Sequence, residues 1–196
     1  MGKNEKPKWH EGLDHKGLKT GDVFLETTRM NWRRLMSYLS AAIRKIGGIK
    51  YNHARALINE NGELYAIEAV YPEVVKTPWI DIINDDEIEA VMILRAKDVD
   101  QIDEAKYIAE AKALVGLPYD KPALLLHQLV QQITKRIKLN IWIGRIKKKA
   151  MGMWYCYEIV AYLRRDIFPK FWRIDPEDEF IPHPIWDVIF KNKGVK

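Results

Sequence analysis

Between Ile49–Ile58 and Glu63–Val70, two stretches with strand character, the chain reads Asn59-Glu60-Asn61-Gly62. Asn-Gly is the strongest short signal for a β-hairpin, because both residues tolerate the positive φ that a two-residue type I′ turn demands. The dipeptide therefore sets a register as well as a turn. With Asn61-Gly62 as the loop, Glu60 pairs with Glu63, Arg55 with Glu68 and His53 with Val70. His53 and Glu68 are then diagonal neighbours on one face, roughly 7–8 Å apart at the backbone and within side-chain reach. A slip of one residue would send the glutamate to the opposite face. Arg55 faces Glu68 directly, so hairpin geometry alone leaves two roles open for the glutamate. It forms an ordinary cross-strand ion pair with Arg55, or it orients the imidazole of His53.

The remaining pattern alternates strands with helices. Lys19-Thr20-Gly21-Asp22 reads as a turn before a short apolar strand, Val23-Phe24-Leu25. From Asn31 to Ile46 the apolar residues Trp32, Leu35, Met36, Leu39, Ile43 and Ile46 recur at spacings of three and four, which predicts an amphipathic helix ended by Gly47-Gly48. Ala90 to Leu94 reads as a buried strand, and Asp98 to Val115 as a helix opened by acidic residues and stopped by Gly116. A further helix over 122–137 carries Leu125, Leu129, Ile133 and Ile137, and another runs from Cys156 through Leu163. The tail from Phe168 to Phe190, rich in proline and aromatic residues, is expected to wrap the surface in extended form. This order predicts an α+β domain with a mainly antiparallel sheet packed against helices.

Size and charge narrow the classes. A chain of 196 residues that is 47% hydrophobic suits one substantial core, so a single domain over 1–196 is expected, with residues 1–17 flexible. Met1 to Thr20 holds no apolar run, and no stretch approaches the ~18 apolar residues that span a bilayer. The expectation is a cytoplasmic protein without signal peptide or transmembrane segment. Its single cysteine excludes an internal disulfide framework and suits a reducing compartment. Net charge is only +5, yet Lys135, Arg136, Lys138, Arg145, Lys147, Lys148 and Lys149 crowd together, while Asp81 to Glu89 is acidic. Such a cluster is either a solvated face or an attachment to an anionic surface; nothing in it specifies a nucleic acid.

Chemistry points to Cys156. In Trp154-Tyr155-Cys156-Tyr157-Glu158-Ile159-Val160 the cysteine stands at a predicted helix start, where unsatisfied N–H groups favour a thiolate over a thiol. A nucleophilic cysteine needs a base and a group to orient that base, and His53 and Glu68 on the two hairpin strands supply both. The alternative is a buried cysteine acting as a small hydrophobe. Glu158 points to another side of the helix and stays outside this set. His10, His15, His127 and His183 show no ligand spacing, so neither a metal nor another cofactor is assigned.

Four segments then carry a resemblance. They are Gly21-Asp22-Val23-Phe24, Asn52-His53-Ala54, Ile67-Glu68-Ala69, and Gly116-Leu117-Pro118-Tyr119-Asp120 followed by Tyr155-Cys156-Tyr157-Glu158-Ile159-Val160. Their order over residues 18–165 resembles the circularly permuted NlpC-type branch of the papain-like cysteine hydrolases. This is the YiiX-like group, related to the lecithin retinol acyltransferase-like enzymes. The resemblance implies a permuted papain-like fold with Cys156 as nucleophile, His53 as general base and acid, and Glu68 as the orienting residue. Tyr119 matches the family's turn tyrosine and is expected to border the pocket. The family commonly has a small residue after the cysteine and a glycine two after the histidine. Tyr157 and Arg55 stand there instead and are expected to narrow or charge the substrate site. The long interval between Tyr119 and Cys156 makes residues 121–150 resemble a helical basic insertion.

These roles predict a hydrolase of amide bonds, with cell-wall peptides as the class the family implies. A cytoplasmic enzyme would reach the wall only on lysis, as a phage-encoded one could. An acyl-lipid hydrolase or acyltransferase is the alternative, and a non-catalytic basic binding module is a third.

Overall fold

Asn61 (φ 57°) and Gly62 (φ 86°) both take left-handed backbone, and the hairpin closes where its sequence places it. The computed structural model describes residues 9–28, 51, 53–119, 156–164 and 186–192. Its strands are β1 (Val23–Thr28), β2 (His53–Glu60), β3 (Glu63–Val70), β4 (Glu73–Pro78), β5 (Ile88–Ala96) and β6 (Trp186–Asn192). Its helices are α1 (Trp79–Ile83), α2 (Glu104–Leu114) and α3 (Cys156–Leu163). The described strands form one sheet in the order β4-β3-β2-β1-β5-β6, with every neighbouring pair antiparallel. This is the α+β architecture expected from the sequence.

Alternation along the strands divides the interior into two cores. Val23, Leu25, Ala54, Ala56, Ile58, Ile67, Ala69, Met92 and Leu94 belong to one, together with Tyr107, Ala111 and Leu114 of α2 and Cys156, Ile159, Val160 and Leu163 of α3. Phe24, Leu57, Ala66, Val91 and Ile93 belong to the other, closed by Trp9, Leu18, Trp79 and Ile82. Helix α3 packs chiefly on β2 and then on β3. Ala54, Ala56 and Ala69 on that face have short side chains, which lets the helix backbone approach the sheet.

The Gly21-Asp22 motif proves to be an anchor for β1. Gly21 has φ +90°, where a side chain would be strained, and a Cβ there would have to displace the end of the Ile102 side chain. Asp22 is buried and accepts from Arg95 Nε (2.8 Å), Arg95 Nη2 (2.6 Å) and the Lys19 amide (2.8 Å).

Several expectations are corrected. Residues 9–17 are not a loose lead. Trp9 is only 6% exposed and packs edge-on against Phe24 and Trp79, because a large aromatic surface gains most from burial. The helix read over 98–115 begins at Glu104, since Asp103 caps it by accepting from the Lys106 amide (3.0 Å) while Val99–Gln101 forms a separate 3-10 turn. It stops as expected before Gly116, which has φ +84°. The following turn is docked on the edge of β4, where the Gly116 amide donates to Val74 O (2.9 Å) and the Val74 amide donates to Leu117 O (2.8 Å). The end of the tail does not wrap the surface. Trp186–Asn192, rich in aromatic and β-branched residues, pairs with β5 and extends the sheet. The helices expected over 31–46 and 122–137, the segment 121–150 with its basic cluster, and the tail before Trp186 lie outside the described residues.

Candidate active site

Three elements bring the predicted residues together. His53 opens β2, Glu68 lies on β3 beside it, and Cys156 opens α3, which packs on those two strands. The register behind this is the one counted from the turn, with Glu60 opposite Glu63 and Ala56 opposite Ile67. His53 Nε2 lies 2.7 Å from Glu68 Oε2. Arg55 Nη1 donates to the other oxygen, Glu68 Oε1, at 2.7 Å, and Thr77 Oγ1 donates to that same oxygen at 2.5 Å. The two roles left open by the sequence are therefore filled at once, because a carboxylate has two oxygens with several acceptor positions between them.

Arg55 is held from both sides. It is 6% exposed, and each of its three nitrogens is committed. Nη1 serves Glu68, while Nε and Nη2 form a fork on Glu26 at 3.1 and 2.8 Å. A buried guanidinium needs carboxylate partners, and two stand on the flanking strands. Tyr119 is partly buried against the core that holds Cys156, and its amide donates to Pro72 O at 2.9 Å. Tyr157 follows Cys156 in the first turn of α3, and its side chain lies outside the described set.

Charge follows from these contacts. Burial alone would raise the pKa of Glu68, but its bond to His53, the Arg55 cation and the Thr77 hydroxyl outweigh it and hold the carboxyl at about 2. Burial alone would likewise strip the proton from His53; the charge and hydrogen bond of Cys156, followed by those of Glu68, push the imidazole up to about 10. An ionised carboxylate only accepts, so Nε2 of His53 donates to Glu68 and Nδ1 is left for the cysteine. Cys156 is a free thiol, 6% exposed. It is at once a core residue and a neighbour of the imidazole.

Glu26 and Thr77 escape the sequence reading. Glu26 stands opposite His53 across the β1–β2 ladder, but a long connection with no countable turn separates those strands. Thr77 belongs to β4, a strand for which no turn signal is read. An acid within the apolar run Val23-Phe24-Leu25-Glu26 is the one available hint.

No family model matches the chain, and no curated protein matches it. Among solved structures it is similar to the metalloprotein YiiX from Escherichia coli O157:H7, with a TM-score of 0.56 and 18% identity over 89% of this chain and 97% of that one. The likeness shows a shared fold. Among the described residues no three His, Cys, Asp or Glu side chains are grouped to hold a metal ion.

Proposed function

We propose that the chain is a cysteine hydrolase that cleaves amide bonds through a covalent acyl-enzyme. The observation that supports this most is the 2.7 Å contact between His53 Nε2 and Glu68, made by an imidazole that is also coupled to Cys156. A histidine serving packing alone needs neither partner, whereas a general base needs an acceptor behind it and a nucleophile in front.

In this reading Cys156 Sγ attacks the carbonyl carbon, an S–C bond forms and the carbonyl π electrons move to oxygen. The Cys156 N–H at the start of α3 donates to that oxyanion. As the tetrahedral species collapses the C–N bond breaks, and the His53 imidazolium gives its proton to the departing amine. Neutral His53 then takes a proton from water, the hydroxide attacks the thioester, and the C–S bond breaks to release the acid and restore the thiolate beside imidazolium. Glu68 stays ionised throughout and keeps the ring aimed. Tyr119 and Tyr157 border the pocket, and the single domain acts on peptides such as those of the cell wall in a reducing compartment or after lysis.

The test is to incubate the protein with wall-type peptides and with phospholipids, quench with acid, and look by mass spectrometry for an acyl adduct on Cys156 and for released products. An adduct on Cys156 with release of an amine is expected. Fatty-acid release would reassign the substrate to acyl lipids, and an absence of any adduct or product across the panel would reject the hydrolase reading.

A further inference from the structure

Glu26, Arg55, Glu68 and His53 form one line of contacts across β1, β2 and β3, with alternating charge. The way Arg55 divides its donors is informative. Its fork, the stronger two-bond geometry, grips Glu26 and not Glu68. Only the single Nη1 arm reaches Glu68, on Oε1, which leaves Oε2 for His53. Were the fork to close on Glu68, both of its oxygens would face the guanidinium and His53 would compete with a cation for its acceptor. Glu26 itself is 1% exposed and contacts Arg55 through both oxygens, a costly arrangement unless the pairing is close to complete.

We propose that Glu26 is a positioning residue: by taking the fork of Arg55 it restricts that guanidinium to one oxygen of Glu68, leaves the other for His53, and offsets the cation's charge at the imidazole. This rests on the reading of His53 and Cys156 as base and nucleophile. Among the described residues, the charged groups facing Arg55 are Glu26 on β1, Glu68 on β3 and Asp85 in the connection before β5. Among the described residues, those acting on His53 are Glu68 on β3 and Cys156 on α3, and Glu26 stands opposite it across the β1–β2 ladder.

Two variants of the full chain predict shifts of opposite sign. In Glu26→Gln the Arg55 charge is no longer offset and its fork is released toward Glu68, so the ring titration of His53, followed by NMR of its carbon-bound protons, moves down by about one pH unit. In the double variant Glu26→Gln with Arg55→Met both charges go, Glu68 faces the imidazole unshared, and the titration moves up. A role in packing alone would not produce opposite directions. Should Glu26→Gln fail to fold, the double variant leaves no lone cation and decides by itself: an upward move supports the proposal, and an unmoved or downward titration overturns it. Iodoacetamide labelling of Cys156, with and without His53→Gln, separates the two ideas. Unmoved titrations with labelling that still depends on His53 overturn the role of Glu26 alone. Labelling indifferent to His53 overturns the reading of the site and this proposal with it.

Discussion

His53 and Glu68 share a buried contact whose strength depends on both being charged, and this gives the fold a pH dependence that can be worked out in sign. His53 is raised from 6.5 to about 10, so its contribution is complete below pH 6.5 and is lost as pH rises through about 10. Glu68 is lowered from 4.5 to about 2, so its contribution is complete above pH 4.5 and is lost as pH falls through about 2. The rise of His53 comes first from Cys156 and then from Glu68, so the two shifts share the His53–Glu68 contact only in part and are not added. Urea midpoints measured across pH should show the pair's contribution at its fullest between 4.5 and 6.5, with a decline on either side that is shallower in Glu68→Gln. Equal slopes in wild type and variant would show that the pair is not coupled to folding. At this scale the sequence was legible wherever a turn allowed counting. Asn61-Gly62 placed His53 within reach of Glu68, but counting could not show that one carboxylate would satisfy both His53 and Arg55. Nor could it find Glu26, whose alignment with His53 is set by sheet packing and not by a hairpin.

Elements carry the site through two kinds of contact that respond differently to substitution. A Cβ added at Gly62 meets nothing within 4 Å, so Gly62→Ala should cost only the strain of φ +86°, about 1 kcal/mol in urea unfolding, with the labelling rate of Cys156 unchanged. Ala56, by contrast, is fully buried on the face that α3 covers. Ala56→Leu should cost about 1–3 kcal/mol by overpacking and should also slow labelling, because the helix that bears Cys156 has to move relative to His53. If both variants label like wild type, the fit of α3 on β2 does not set the site. The same contrast explains which elements could be read in advance. The hairpin, the end of α2 before Gly116 and the span of α3 carry local signals. The β6 strand has a strand-like composition, but its partner β5 is distant in sequence, and proline-rich residues before it point to a coil. Asp98 looks like a helix start by charge, yet Asp103 supplies the cap, a matter of side-chain geometry that composition does not distinguish.

Among the described residues the sheet carries a core on each face, and the candidate chemistry lies where α3 meets the hairpin strands on one of them. The fold shared with YiiX agrees with the α+β architecture expected from motif order. Among the described residues no helix is long and apolar enough to cross a membrane. The basic cluster ending at Lys149 is proposed to bring the protein to an anionic surface. Sedimentation with anionic vesicles should then exceed that with neutral ones, weaken in high salt, and be lost when Lys147, Lys148 and Lys149 are all changed to Ser. Equal sedimentation of both proteins, or none, would leave those lysines as solvated surface. If the imidazole of His53 makes Cys156 the reactive group, as proposed, the rate of iodoacetamide alkylation of Cys156 at neutral pH differs between wild type and His53→Gln. A rate at least about tenfold lower in the variant is expected, because the thiol then lacks its base; equal rates in two folded proteins would overturn that assignment.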